Sequence, residues 1–398
     1  MSKIISYSQW NALNIPNGIT FDENNGVFSG TPSVNEGEYV VPVSVQTNYG
    51  SDAQNLKIIV EGGYHGVYAL GSQAARWSNY AAPDAYGFRK LDIPDANRLS
   101  TIPAGFAAKC MGGRWFIGSS KSDTIYGGNG KSTGISYYMP TEFPADYVLD
   151  IKGGRNSNSS GIFFAFTTQD DTSIFSYNLS SGNVSSSLSN SRVDISKLAD
   201  GFSYGFAMLK LDNSIVLGNP SNFLTSSFSF DELISKFVPQ ITLGNGAYNK
   251  VYFISESGKL FEFLNGNFYQ LMPDLEGFSE LWIQPAWDNV FALTSDKTLY
   301  ARGNNAYYQL GINNPAVFND FQLVGEFDVK KIEHTFMLTR DGKLYHTGTL
   351  SDNAASIAGG THEGWTHIFP EYRFFDFSYS PQPASNFGSQ TLVVILDD

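Results

Sequence analysis

The stretch LYARGNNAYYQLGINN (residues 299–314) joins a short apolar run to a Gly-Asn turn and a Tyr-Gln-Leu-Gly ending, and WDNVFALTSDKT (287–298) precedes it. Apolar runs on either side of the polar Ser-Asp-Lys segment predict two strands joined by a turn. The same order of apolar strand, polar turn, apolar strand and glycine returns in KVYFISESGKLFEFLNGNFYQL (250–271) and HTFMLTRDGKLYHTGTL (334–350). Weaker copies begin at residues 113 (GRWFIGSSKSDTIYGGN), 161 (GIFFAFTTQDDTSIFSYN) and 204 (YGFAMLKLDNSIVLGNP).

From 113 to 334 the copies stand about 44 residues apart, a spacing typical of propeller blades. The opening hairpin is therefore expected as the inner pair of one blade. The two ends of the region carry half a copy each. SQTLVVILDD (389–398) is the first strand of the two-strand unit, and GGYHGVYALGSQ (62–73) is its second strand with the glycine. Pairing Leu392–Ile395 with Val67–Leu70 would complete a seventh unit and close a ring, which leaves only short, protected sheet edges.

The composition agrees with an all-β chain. Of 398 residues 42% are hydrophobic, only 16% are charged, and 22 Tyr, 31 Phe and 39 Gly favour strands and turns. The net charge of −13 comes with no basic cluster, which argues against a nucleic-acid partner. Cys110 is the only cysteine, so no intrachain disulfide and no cysteine-rich zinc site is possible. The start MSKIISYSQWNALNIPNG lacks the apolar core of a secretion signal and no run approaches a membrane span, so the chain is expected to be made in the host cytoplasm without membrane insertion.

NVFALTSDKTLYARGNNAYYQLG (289–311) resembles the repeat of the RCC1 family of seven-bladed β-propellers, and the resemblance extends over about residues 62–398. Arg302 stands at the family's usual Trp position, and Tyr308 replaces the Gly before Gln-Leu-Gly. Residues 1–61 carry a second resemblance. The order Ile-Pro-x-Gly-Ile-x-Phe (15–21), then Phe28-Ser29-Gly30-Thr31-Pro32, then the strand-like EYVVPVSVQT and NLKIIVE, is similar to an immunoglobulin-like module common in bacterial surface and phage structural proteins. Only twelve residues precede its Leu-Asn-Ile-Pro segment, where the family has further strands. A truncated sandwich with edges completed by a neighbour is expected. The expected architecture is thus an all-β chain: a truncated Ig-like module (1–61) and an RCC1-like seven-bladed β-propeller (62–398).

Motifs of catalysis are few. GGNGKST (127–133) has Ile125 where a phosphate loop needs glycine, and no helix pattern follows. GFSYG (201–205) has the letters of a nucleophile elbow around Ser203, but a propeller strand follows it instead of a helix. THEGWTH places His362 and His367 five apart in a stretch that reads as loop and strand, with His65, His334 and His346 expected on other blades. NLSSGNVSSSLSNSR (178–192) is expected as an exposed loop. No catalytic, cofactor or metal residues are therefore assigned. Aromatics outside the repeat strands (Trp77, Tyr80, Tyr86, Tyr137, Tyr138, Trp365, Tyr372, Phe374, Phe375) suit packing or contact with a sugar or protein, and Tyr137, Tyr138, Trp365 and Tyr372 are the candidate binding residues.

The two resemblances together imply a non-enzymatic structural or adhesion protein of a bacteriophage particle, in a tail, fibre or capsid decoration. Residues 1–61 would join other virion proteins in a larger assembly, and the propeller would meet a host-surface glycan or protein, or a neighbouring subunit. The alternatives are a bacterial cell-surface interaction protein, an intracellular RCC1-type regulator and a carbohydrate-active enzyme. The last would show two carboxylates facing each other across a pocket.

Overall fold

The computed structural model describes residues 8–30, 37–47, 50–60, 65–71, 74, 78, 82–102, 105–110, 113–119, 141–142, 148–155, 161–169, 171–178, 184–188, 206–209, 213–218, 226–241, 249–264, 266–284, 289–348, 360–380 and 391–397. The chain divides into two compact units, Met1–Tyr64 and His65–Asp398.

The first unit has strands β1 (Ser8–Ala12), β2 (Ile19–Asp22), β3 (Val27–Gly30), β4 (Gly37–Thr47) and β5 (Gly50–Val60). β4 is the middle of a three-stranded antiparallel sheet between β1 and β5, and β2 and β3 form a separate hairpin. Along β4 the apolar residues alternate as a half-buried strand requires: Val41 and Val43 are buried and Val40 is exposed. Trp10 donates its N–H to the Glu23 carbonyl (3.0 Å), and Phe21 and Phe28 meet across the hairpin with ring centroids 4.6 Å apart.

The second unit opens with β6 (Val67–Gly71) and β7 (Arg89–Lys90). Blade 1 then holds β8 (Ala96–Ile102), β9 (Gly105–Cys110), β10 (Trp115–Ser119) and β11 (Thr141–Glu142). Blade 2 holds β12 (Val148–Arg155), β13 (Gly161–Gln169), β14 (Asp171–Asn178) and β15 (Val184–Leu188); the described part of blade 3 is β16 (Phe206–Leu209), β17 (Ser214–Gly218) and β18 (Ser226–Ser229). Blade 4 comprises β19 (Ile234–Ile241), β20 (Asn249–Ser255), β21 (Leu260–Leu264) and β22 (Asn267–Leu271). Blade 5 comprises β23 (Phe278–Gln284), β24 (Asn289–Thr294), β25 (Thr298–Asn304) and β26 (Val317–Glu326). Blade 6 comprises β27 (Val329–Glu333), β28 (Phe336–Thr339), β29 (Leu344–Gly348) and β30 (His362–Ile368). In blade 7, β31 (Phe374–Ser380) and β32 (Thr391–Leu396) from the end of the chain pair with β6 and β7 from the start of the unit. The β32–β6 ladder is antiparallel and sets Leu392 opposite Leu70 and Ile395 opposite Val67. The unit is a seven-bladed β-propeller.

First strands of neighbouring blades lie side by side (β31 with β8, β8 with β12, β19 with β23, β23 with β27), so they are the innermost. This corrects the reading of the opening stretch. Its hairpin, β24–β25, is the middle pair of blade 5, and β23 lies inside it. The reason is burial. Val290 and Ala292 of β24 pack toward blade 4 while Phe291 and Leu293 pack toward blade 6, so the middle strand is apolar throughout and dominates the sequence pattern. β32 behaves alike, with Val393 and Ile395 in the core shared with blade 1 and Leu392, Val394 and Leu396 in the core shared with blade 6.

Two further expectations change. The first-blade hairpin is β9–β10, residues 105–119, and not the 113–129 segment, because the small residues of GFAAKC hid a buried strand; residues 120–140 lie outside the described residues. The serine-rich stretch contains β15, the outermost described strand of blade 2, which pairs with β14 through its backbone and needs no apolar pattern.

The polar turn in the repeat has a structural task. In blades 4, 5 and 6 the N–H groups of Glu256, Ser295 and Arg340 donate to the carbonyls of Leu233, Gly277 and Asp328, just before the inner strand of the same blade. Two residues on, the carbonyls of Gly258, Lys297 and Gly342 accept the N–H groups of Phe278, Phe327 and Phe374, at or just before the inner strand of the next blade. Each turn thus stitches two blades together.

Candidate functional site

The innermost strands share a feature that builds the polar centre of the ring. In six blades the ladder between first and second strand skips one residue at the same place: Ala96/Arg98, Val148/Asp150, Ile234/Lys236, Phe278/Glu280, Val329/Lys331 and Phe374/Asp376. The residue after each bulge is charged, and the sign alternates from blade to blade wherever consecutive blades are described. A bulge re-aims the side chain that follows it. Lys236 Nζ meets Glu280 Oε2 of the next blade at 3.0 Å, and Lys331 Nζ meets Asp376 Oδ1 at 3.3 Å.

The densest part of this ring spans blades 6, 7 and 1. Lys331 also lies 3.4 Å from Glu333 and donates to the Leu99 carbonyl at 3.2 Å. Asp376 Oδ2 accepts the Leu99 N–H at 2.7 Å. Thr101 donates to Glu333 and shares a hydrogen bond with Ser378. These carboxylates are committed to a lysine, a hydroxyl and main-chain groups, so the network is a clasp for ring closure. It does not have the arrangement of an acid and a base flanking a substrate.

Blade 6 gathers four of the five histidines, contrary to the expectation that His334 and His346 lie on other blades, while His65 stands apart in a bridge to Ala96. His334 sits in the β27–β28 turn, His346 on β29, and His362 and His367 on β30, so THEGWTH is strand almost throughout. The β29–β30 pairing brings His346 and His362, 16 positions apart, together. His346 Nδ1 lies 2.9 Å from His362 Nδ1, and burial pushes the His346 and His334 imidazoles down to about 3. Among the described residues no group of three His, Cys, Asp or Glu side chains is placed to hold a metal ion.

Of the sequence candidates, Tyr137 and Tyr138 lie outside the described residues, as do Trp77 and Tyr80. Trp365 belongs to β30, and its indole covers Gly311 and meets Phe291 edge-on at 6.1 Å. Phe374 and Phe375 are strand residues of β31. Tyr372 lies in an aromatic cluster with Tyr86, Phe88, Phe369 and Phe374, with its ring 5.3 Å from that of Tyr86. Its hydroxyl donates to Asp84 Oδ2 (2.6 Å), while Asp84 Oδ1 accepts the N–H groups of Tyr86 and Phe88, both at 2.9 Å. Burial and the Asp84 carboxylate raise the Tyr372 hydroxyl above its ordinary range. Tyr86 is 41% exposed and its hydroxyl bonds Glu371. The described candidates are thus Trp365 and Tyr372, and the exposed Tyr86 lies beside Tyr372, which Asp84 fixes.

A family model described as "Putative Ig domain" matches residues 2–61. No curated protein matches the chain. Among solved structures, a chain in the crystal structure of Kap60 bound to yeast RCC1 (Prp20) is similar at 10% identity and a TM-score of 0.58, over 85% of this chain and 90% of that one. Human WBSCR16 is similar at 12% identity and a TM-score of 0.54, over 84% of this chain and 99% of its own. At such identities the likeness is one of fold. The chain combines an Ig-like module with an RCC1-like propeller, and fold alone does not carry function.

Proposed function

We propose that this protein is a non-enzymatic component of a bacteriophage particle, joined to other virion proteins through its Ig-like module and displaying the propeller outward. The observation that carries the reading is the architecture: a small module whose three-stranded sheet has two edges, followed by a ring that completes itself with its own C-terminal strand. One part is built to be joined and the other to stand alone. The carboxylates across blades 6, 7 and 1 are engaged in closing the ring, which supports binding in place of catalysis. The contact residues proposed on the propeller are Tyr372, with its exposed neighbour Tyr86, and Trp365, Tyr137 and Tyr138. Their ligand is a host-surface glycan or protein that packs on aromatic faces. Mass spectrometry of purified particles, followed by locating the chain in a cryo-EM map, tests the reading. Its presence, with residues 1–61 against a neighbouring virion protein, is expected; its absence from particles overturns it.

A further inference from the structure

We propose that His346 and His362 form a two-imidazole site for a late first-row divalent metal ion, copper(II) above all. The site stands independently of the functional reading above. Between His346, opposite Thr366, and Gly348, opposite His362, the β29–β30 ladder sets Glu363, Gly364 and Trp365 of β30 against Thr347 alone. That bulge turns His346 so that its ring meets His362 four residues further along the partner strand. The two Nδ1 atoms converge at 2.9 Å. With metal–nitrogen bonds of about 2.0–2.1 Å this separation subtends an angle of about 90° at a shared ion. Ninety degrees is the cis angle of tetragonal or octahedral coordination, and copper(II) leads the affinity order of the divalent series on imidazole ligands. A tetrahedral zinc ion would need the nitrogens farther apart.

The surroundings suit such an ion. His346 is fully buried, and its Nε2 has no hydrogen-bond partner, so the ring's polar chemistry is directed at His362. His362 is only half-buried, which gives the ion a route from solvent and leaves its remaining positions to water. Without metal, one Nδ1 carries the proton that bridges the pair. When metal binds, that proton moves to Nε2 of the same ring, His362 being the ring with access to water, and no net proton is released.

The full-length chain is titrated with copper(II) chloride by calorimetry, and its electron paramagnetic resonance spectrum is recorded. One ion per chain with hyperfine coupling to two imidazole nitrogens is expected. His362→Ala, at a half-buried position, is expected to weaken binding by roughly tenfold or more and to remove one coupled nitrogen. His346→Asn, checked for fold by circular dichroism, should remove the other. His65→Ala should leave both readouts unchanged. Wild-type binding no tighter than that of His362→Ala, or a two-nitrogen spectrum that survives His362→Ala, overturns the assignment.

Discussion

Lys297 shows what one backbone conformation costs. It holds φ +74° in the β24–β25 turn, where the equivalent turns of blades 4 and 6 use Gly258 (φ +78°) and Gly342 (φ +83°). A side chain in this left-handed region costs roughly 1–2 kcal/mol, and an exposed ion pair such as Lys297–Asp328 returns less than about 1 kcal/mol. Lys297→Gly is expected to raise stability by about 0.5–1 kcal/mol in urea denaturation; a loss would mean that the Asp328 contact outweighs the strain. His334 supplies a pH dependence. Burial lowers its imidazole from 6.5 to about 3 in the folded chain, so above pH 6.5 the ring is neutral in both states and folding is unaffected. As pH falls from 6.5 toward 3 the unfolded chain takes up a proton that the folded chain refuses, and stability drops by up to roughly 1.4 kcal/mol per pH unit. His334→Asn tolerates the same φ of +56° and is expected to shed that share of the acid sensitivity when melting temperatures are compared from pH 7 to pH 5.

Between neighbouring strands and loops, polar side chains do what the apolar pattern cannot. Arg302 of β25 reaches into blade 4, where Nη2 donates to the Tyr252 hydroxyl at 2.8 Å and pairs with Glu262, while the guanidinium lies 5.0 Å from the Tyr252 ring centroid and 5.3 Å from that of Phe321. Here a cation over aromatic faces stands where the related repeat puts a tryptophan. Arg302→Met leaves Glu262 buried without its cation and is expected to cost roughly 3–5 kcal/mol, most of which the double variant Arg302→Met/Glu262→Gln regains. The loop after β25 explains why the opening stretch was legible. Asn305 is fully buried, donates to the carbonyls of Ile312 and Asn314, and accepts the Leu310 N–H, so its identity is fixed. Gly311 lies under the Trp365 indole at φ +72°, and Gly311→Ala drives a methyl into that ring, with an expected loss above about 2 kcal/mol. Tyr308, where the related repeat has glycine, holds φ +63°. The inner strands were not legible because their signal is a bulge followed by a charge, a pattern with no apolar period. The histidine pair was missed because its members sit on different strands, and sequence spacing does not show which residues of two strands face each other.

For the molecule as a whole, closure is the decisive event. Two β32 faces fill the cores shared with blades 1 and 6, and the clasp around Lys331, Asp376 and Leu99 crosses the same junction. Removing residues 391–398 is expected to expose both cores and abolish cooperative thermal unfolding of the propeller, read by near-ultraviolet circular dichroism; a truncated chain that still melts in one sharp transition would show that the ring does not depend on its last strand. The ladder that joins the ends is antiparallel, with Val67 opposite Ile395 and Gly71 opposite Thr391, so the chain enters and leaves the ring at the same end of the ladder. A mechanical load applied between the N-terminal module and the C-terminus would therefore part these hydrogen bonds one after another instead of shearing them together. A tether anchored in this way is a zipper with its tab at Val67, opened by a steady pull along the chain.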